Sequence, residues 1–506
     1  MPLLLPSRGK IVVPKFTGDL MNPNRVEFEV SIAQFQVSRF KFQFAETRNS
    51  KLETFSLGLT FVFILGLASL LSAQKPANFA DPQIASALKN ISAGQIQSDI
   101  EKLVSFQTRS TLSAQDAESI KAGRGIGAAR EWIKSEFERY SQDCGGCLEV
   151  KTDTFTQPVS ERVASPTVLT NVYAILRGTN PEDAKRIVLV TGHYDSRNSS
   201  NENVTDPAPG ANDDASGTAV SLECARVLSK LHFPGTIIFL TVAGEEQGLY
   251  GSKHFAELAK AQGWEIEAVL NNDIVGGDQS PGQDPKVVRV FSESIPDSAN
   301  EKQLRAIGAL GGENDSPSRE LARYIAQAAR TYQLEISPLL EFRRDRYLRG
   351  GDHISFNEQG FAAVRLTEFH ENYTRQHQNV RTENGVEYGD LPKFVNFDYV
   401  ANVARVNAAT LASLAAAPAP PKNVRLETKQ LVNDSTLVWD VPADGRAFSY
   451  EVLWRTTSAP DWEHAQGVTN ALKATIAVSK DNVIFAVQSV DESGHRSLPI
   501  VPVPER

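Results

Sequence analysis

Cysteine is scarce in this chain, with three residues among 506, and this excludes a fold held together by a framework of disulfides. Cys144 and Cys147 form a CGGC motif that can close one local disulfide, but the strand that should precede a thioredoxin-like redox motif is missing. Positive charge is also in deficit, because 52 lysines and arginines face 61 acidic residues, for a net charge of -9. A chain with this balance is not expected to bind nucleic acid.

Long apolar runs are rare, and one stands out within residues 51–73. The run 55–73 carries no charged residue, follows several basic residues and ends on small ones. These features are typical of a secretory signal peptide cleaved near Ala73, and the run is also long enough for a membrane anchor. Both alternatives make the remainder secreted or otherwise extracytoplasmic. Residues 1–50 are then either a misassigned start or a cytoplasmic tail.

Strand and helix patterns alternate between residues 83 and 415. Two amphipathic helical segments come first, and buried apolar runs then alternate with helical repeats. The strand patterns are LEVKTDTFTQ, NVYAILRG, RIVLVTG, TIIFLTVAG, IEAVLNND and FAAVRLTE. This alternation predicts an α/β fold with a mostly parallel, mixed sheet flanked by helices. Loops such as 275–320 are expected to shape a substrate pocket.

The character of the chain changes after the last long helix. Residues 416–421 form an Ala/Pro linker, and residues 422–506 show short strands of alternating polarity. The spacing predicts a small all-β sandwich with Trp439 and Trp454 in its core, and it resembles a fibronectin type III domain. Such a module can bind a polymer or a cell surface. The linker predicts that deleting residues 419–506 leaves a folded, active enzyme.

Histidines and carboxylates follow the buried strands at successive strand-to-loop junctions. Any one of them alone is more often structural, but a series of such positions is hard to obtain by chance. The carboxyl ends of strands in an open α/β sheet are where ligand sites form. The residues are His193 and Asp195 after RIVLVTG, Asp213 and Asp214 in PGANDDASG, Glu245 and Glu246 after TIIFLTVAG, Asp273 after IEAVLNN, and His377 in ENYTRQHQ.

Imidazole and carboxylate are suitable zinc ligands. Two histidines and three carboxylates can hold two zinc ions if one carboxylate bridges, and the glycine-bounded loop PGANDDASG offers a rigid bridge. Glu245 and Glu246 are adjacent, so their side chains can take different roles.

The motifs HYDS, PGANDDASG, GEEQGLYGS, NND and ENYTRQHQ resemble those of the M28 family of zinc aminopeptidases, in order and in spacing. The resemblance implies a zinc-exopeptidase-like fold and a secreted hydrolase that removes N-terminal residues from peptides with a zinc-activated water. It implies two zinc ions per chain, Glu245 as the general base, and Asp195 as the residue that orients the His193 imidazole without binding metal. The ligands it implies are His193 and Asp273 for one ion, Glu246 and His377 for the other, and Asp213 as the bridge.

The family pattern further favours Asp213 over Asp214 as the bridge, and it implies a cis peptide bond after Asp213. The pair Asp352-His353 is expected to support the site without binding metal, and Tyr347 or a neighbouring arginine is a candidate substrate contact.

Two alternatives to the aminopeptidase remain. A glutaminyl cyclase shares the fold but keeps a single zinc, and a non-catalytic, receptor-like homologue would have lost ligands or the base. The presence of all five ligand positions favours hydrolysis over both.

Overall fold

The computed structural model describes residues 79–505. The segments 1–50 and 51–73, for which an extension and an export signal or anchor were predicted, lie outside the described residues. Among residues 79–505, no helix combines the length and the apolar character needed to cross a bilayer.

The centre of the protein is an eight-stranded mixed sheet with the strand order β1-β2-β4-β3-β5-β8-β6-β7. The four central strands, β4, β3, β5 and β8, are parallel to one another, and the antiparallel pairings lie toward the edges. This confirms the predicted α/β class. The strands are Leu148–Gln157 (β1), Thr167–Leu176 (β2), Arg186–His193 (β3), Thr236–Val242 (β4), Glu265–Asn272 (β5), Val287–Ser292 (β6), Ser337–Glu341 (β7) and Ala363–Glu368 (β8).

Helices cover both faces of this sheet. Alternate residues of β3 enter two separate apolar clusters, Val188 and Val190 on one face and Ile187 and Leu189 on the other. All eight residues of β3 are buried for this reason. The helices are Pro82–Leu88 (α1), Ala93–Val104 (α2), Ala117–Lys121 (α3), Gly125–Asp143 (α4), Ala215–Leu228 (α5), Glu245–Gly248 (α6), Tyr250–Ala261 (α7), Glu301–Leu310 (α8), Pro317–Thr331 (α9), His353–Glu358 (α10) and Phe397–Ala416 (α11).

The segment 275–320 is more ordered than a pocket-shaping loop. It contains strand β6 and helix α8, and β6 pairs with β8 and with β7. The sequence hides these strands because β6 is short, with an arginine inside it, and β7 carries Pro338, a residue that argues against a strand.

The C-terminal part is an all-β sandwich of two sheets, as predicted. Its sheets have the strand orders β15-β12-β11-β17 and β14-β13-β16. Trp439 and Trp454 lie in the core between them, which confirms their predicted place. The fibronectin likeness itself stays a prediction. The strands are Lys422–Glu427 (β11), Ser435–Asp440 (β12), Ser449–Thr456 (β13), His464–Thr469 (β14), Lys473–Ile476 (β15), Val483–Val490 (β16) and Val503–Glu505 (β17). A two-stranded hairpin, Arg381–Glu383 (β9) and Val386–Tyr388 (β10), precedes α11.

The C-terminal sandwich is packed against the α/β part. Arg455 is 1% exposed and forms an ion pair with Asp315, and the Trp462 indole N–H donates to Glu320 at 3.0 Å. The segment 416–421 is not free either, because Ala417 is buried and α11 extends to Ala416. The segment connects the two parts without separating them.

This contact changes the expected result of truncation. Deleting residues 419–506 removes the partners of buried charges on α9 and before it, so we expect an insoluble or strongly destabilised fragment in place of the active enzyme predicted from the linker. The single substitution Arg455→Ala in the full chain tests the same contact. It removes the close ion-pair partner of the buried Asp315 carboxylate and leaves Arg323 at 3.9 Å, so it should cost up to about 3–5 kcal/mol in the free energy of unfolding.

Chemical denaturation can measure this cost. Arg425→Ala is the control, because Arg425 lies on β11 with its ion pairs at the surface, where such pairs contribute about 0–1 kcal/mol. Equal losses for the two variants, or a soluble and active 1–418 fragment, would show that the sandwich contributes little to the stability of the enzyme.

Candidate metal centre

Three neighbouring parallel strands, in the order β4-β3-β5, deliver acidic and histidine side chains to one edge of the sheet. His193 is the last residue of β3, and Asp273 directly follows β5. After β4 the chain turns at Gly244, which has a φ of 79°, a left-handed conformation that glycine adopts without strain. The single-turn helix α6 then begins at Glu245. Parallel strands end at the same edge, so these residues meet although they are far apart in sequence.

The predicted site residues lie in two adjoining groups. One contains His193, Glu245 and Asp273, and the other contains Asp213, Glu246 and His377; within each group the ligand atoms all lie within 4.8 Å of one another. The pattern predicted from sequence is thus brought together in full. Glu245, predicted as the base, lies in the group of His193 and Asp273, whereas the adjacent residue Glu246 lies in the other group.

Asp213 connects the two groups. Its Oδ1 lies 3.2 Å from His193 Nε2, and its Oδ2 lies 2.9 Å from His377 Nε2. His377 Nε2 is also 3.0 Å from Glu246 Oε1, while His193 Nε2 is 3.8 Å from Asp273 Oδ1. One carboxylate therefore directs one oxygen to each histidine, the arrangement a bridging ligand needs.

Asp214 has a different environment from Asp213. Its carboxylate caps α5 by accepting from the Gly217 N–H at 2.8 Å, and it also accepts from the His193 N–H at 3.0 Å. The peptide bond between the two aspartates is cis, as the family pattern implied. Asp214 therefore holds the loop and the end of β3, and it leaves Asp213 to face the histidines.

Asp195 does more than the sequence suggested. The His193 Nδ1 faces the backbone oxygen of Asp195 at 3.1 Å, with the Asp195 carboxylate at 3.5 Å, which leaves Nε2 as the nitrogen that faces the acids. The Asp195 carboxylate accepts from the backbone N–H groups of Glu245, at 3.3 Å, and Glu246, at 3.1 Å, and from the Thr111 hydroxyl at 2.7 Å. It anchors the glutamate turn as well as the imidazole.

Several positioning residues were missed by the sequence reasoning. Asp390 accepts from the Asn212 and Asp213 N–H groups, at 2.9 and 2.7 Å, and so fixes the bridging loop. Gln376 donates to Asp213 Oδ2 at 3.0 Å, and Arg365 lies 3.1 Å from Asp273 Oδ2. Asp390 and Asn212 are 178 positions apart, and no local motif marks such a pairing.

Asp352 and His353 have separate surroundings. Asp352 is fully buried, neither of its carboxylate oxygens has a hydrogen-bond partner among the described residues, and burial raises its pKa to about 7. His353 is not in either metal group: its Nε2 lies 2.9 Å from the backbone oxygen of Arg344 and 3.6 Å from the Asp345 carboxylate. Tyr347 is largely exposed and stacks with Arg343. The supporting role predicted for the pair stays a prediction.

Burial and crowding dominate the electrostatics of the centre. Burial raises the pKa of Glu245 well above its usual range, and the nearby carboxylates of Asp273 and Glu246 raise it further. Burial lowers the pKa of His377, but the carboxylates of Glu246 and Asp213 outweigh this and raise that pKa to about 10. The carboxylates outnumber the histidines, so a bound cation would reduce the repulsion among them.

These residues fit a divalent metal. His193 Nε2 and Glu246 Oε1 are buried and have no hydrogen-bond partner among the described residues, an arrangement that is costly unless a cation takes that place. Imidazole nitrogen and carboxylate oxygen are donors that zinc accepts. The adjoining groups provide two positions with three donors each if Asp213 serves both.

Comparison with known proteins shows similarity to metallopeptidases. A sequence model of Peptidase family M28 matches residues 171–394. A protein named "Probable zinc metalloprotease" from Pyrenophora teres f. teres is 44% identical over 429 residues, covering 84% of this chain and 87% of the relative. The chain therefore belongs to peptidase family M28. It is a metallopeptidase, and the matched region contains every residue of the centre.

Two solved structures show weaker likeness. The LapA aminopeptidase of Legionella pneumophila is 21% identical, with a TM-score of 0.46 over 68% of this chain and 78% of its own. A glutaminyl cyclase of Fimbriiglobus ruber is 18% identical, with a TM-score of 0.44 over 67% of this chain and 99% of its own. At these scores neither likeness decides between the two activities.

Proposed function

We propose that the protein is a di-zinc aminopeptidase that hydrolyses the N-terminal residue from peptides. The observation that carries the proposal is the placement of Asp213, which directs one oxygen toward each of two histidines at 3.2 and 2.9 Å. A single-metal enzyme has no need for this arrangement. The names of the curated relatives support zinc as the metal.

In this proposal, His193 and Asp273 hold one zinc, Glu246 and His377 hold the other, and Asp213 serves both. Bound zinc supplies Lewis acidity, which polarises the scissile carbonyl and makes water a stronger acid. Glu245 is the base: its Oε2 lies 4.0 Å from His193 Nε2, beside the first position, without a hydrogen bond to a cationic side chain. A carboxyl whose pKa is raised by burial takes a proton readily and can return it to the leaving amine.

A screen of aminoacyl p-nitroanilides on the purified protein tests this activity. Release of p-nitroaniline is expected, and addition of a chelator should abolish it. The cyclase alternative makes a different product: from a peptide with N-terminal glutamine it releases ammonia and leaves every peptide bond intact. Mass spectrometry of that peptide separates the two, and ring closure without hydrolysis would reject the aminopeptidase.

Metal removal is expected to lower stability as well as activity. The buried carboxylates of the centre repel one another, and a ligand at about 100 times its Kd stabilises a fold by about 2.7 kcal/mol per site. We expect dialysis against a chelator to lower the melting temperature by roughly 5 °C or more. Differential scanning fluorimetry measures the change, and zinc should reverse it while magnesium, a poor partner for imidazole, should not. A chelated protein that melts at the original temperature would contradict a buried metal centre.

We also propose that the enzyme works outside the cytoplasm, secreted or held by a membrane anchor at 55–73. The Cys144–Cys147 disulfide supports this, because such bonds persist in oxidising compartments. Sequencing the N-terminus of the protein recovered from culture medium tests export, with a start close to Gln74 expected for a cleaved signal peptide. The C-terminal sandwich, docked as it is, keeps its proposed role in binding a polymer or a cell surface.

A further inference from the structure

The cavity above the metal centre has an unusual wall. Besides the metal-centre residues, it is lined by five arginines and has a single apolar side chain, Leu249. Pockets that accept apolar residues are lined mainly by apolar and aromatic side chains. We call the five the arginine wall: Arg162, Arg197, Arg346, Arg349 and Arg365.

Two arginines of the wall form ion pairs with carboxylates of the protein. Arg365 is buried and contacts Asp273 at 3.1 Å and Asp345 at 3.3 Å. Arg346 pairs with Asp345 at 2.9 Å and with Glu371 at 2.8 Å. Their charges are balanced by these carboxylates, and Arg365 also positions Asp273.

The other three keep donors for a ligand. Arg349 donates through one Nη to Glu371, and its side chain is a third exposed. Arg162 donates only to the backbone oxygen of Glu246, at 3.2 Å. Arg197 donates through Nε to the backbone oxygen of Asn198, and this Nε is 3.7 Å from the Glu246 carboxylate. Among residues 79–505, neither Arg162 nor Arg197 has a hydrogen-bonded carboxylate partner.

We propose that the enzyme prefers peptides that carry a carboxylate within one residue of the scissile bond, and that Arg162 and Arg197, with Arg349, bind that carboxylate. The guanidinium fork matches a carboxylate in geometry and in charge. The Glu246 carboxylate is the nearest acid to Arg197, but in the proposed function it holds zinc, so it does not neutralise the arginine. The inference rests on the proposed hydrolysis of peptides at this centre.

Isosteric substrates test the preference. The probes are Glu-, Gln- and Leu-p-nitroanilide, and the dipeptide Leu-Gly with its amide Leu-Gly-NH2. An acidic N-terminal side chain as the source of the carboxylate predicts a kcat/KM at least tenfold higher for Glu than for Gln. A C-terminal carboxylate as the source predicts the same excess of Leu-Gly over its amide. Either ratio should shrink as ionic strength rises, and ratios near one in both pairs would overturn the proposal.

Substitutions then identify the residues. Arg162→Met and Arg197→Met should each reduce the preferred ratio threefold or more, mainly through KM, and the double variant should bring it near one. Arg343→Met is the matched control, because Arg343 lies in the same loop as Arg346 and Arg349 but does not line the cavity, and it should leave the ratio unchanged. Arg197→Glu should favour Lys- over Gln-p-nitroanilide.

The ratio cancels any change in activity that both substrates share, and zinc content measured on each variant excludes loss of the metal as the cause. Unchanged ratios in both arginine variants would overturn the assignment. If the wild type cleaves Leu-p-nitroanilide without any preference for acids, this inference fails and the aminopeptidase stands. If no aminoacyl or dipeptide substrate is cleaved, the proposed function itself fails.

Discussion

Replacing Glu245 with glutamine should lower kcat about 10²- to 10⁴-fold, the usual contribution of a general acid–base group. The change keeps the shape of the side chain and removes its ability to take a proton. Glu245 Oε2 lies 4.0 Å from His193 Nε2, and its side chain makes no hydrogen bond among residues 79–505. Its backbone N–H donates to Asp195 and its backbone oxygen accepts from the Leu249 N–H, and glutamine retains both contacts. KM should change far less than kcat, and zinc content should remain that of the wild type.

Glu246→Gln is the matched control for this experiment, since it makes the same chemical change one residue further along α6. In the proposed centre Glu246 is a ligand, so this variant should lose zinc from one position and melt at a lower temperature. Steady-state kinetics and elemental analysis on both variants separate a base from a ligand. Near-normal turnover of Glu245→Gln would reject Glu245 as the base, and loss of zinc from it would show that it is a ligand.

Asp213→Asn should weaken both metal positions at once. An amide offers one good acceptor oxygen in place of two, so it cannot face His193 and His377 equally, and we expect metal affinity to fall by more than the roughly 10–100-fold that follows loss of an outer partner. Elemental analysis after dialysis should find clearly less than the wild-type zinc content.

Asp214→Asn supplies the comparison. Asparagine is also a good N-cap, so the cap on α5 should persist and zinc should be retained, with some loss of stability from the buried contact to His193. A variant Asp213→Asn that keeps all its zinc, beside Asp214→Asn that loses it, would exchange the roles of the two residues.

The site was readable from the sequence because its residues follow buried strands. His193, Asp273 and the Glu245–Glu246 pair sit at strand ends that periodicity locates well, and a parallel sheet brings such ends together. The positioning contacts of Asp390 and Arg109 could not be predicted from the sequence. Arg109 is buried and donates to the backbone oxygens of Tyr194, Pro209 and Gly210, contacts between segments 85 to 101 positions apart that no local pattern encodes.

The strands of the fold likewise divide into those that the sequence predicts and those that it does not. Central strands with continuous apolar runs were predicted to within a few residues, whereas β6 and β7 are short, half-buried and interrupted by Arg289 and Pro338. The docking of the C-terminal sandwich was not predicted, because residues 416–421 have the composition of an Ala/Pro linker. Alanine and proline also suit a close-packed connection, and only the tertiary contacts distinguish the two.

The hydrogen bonds of Asp195 bear on how freely this sequence can vary. One carboxylate joins the end of β3 to the backbone of both glutamates, so a substitution that displaces it shifts an acid in each metal group together. Because the Asp195 carboxylate binds the backbone of both Glu245 and Glu246, no single second substitution would restore both contacts. We therefore expect Asp195 to tolerate fewer substitutions than the exposed loops around it.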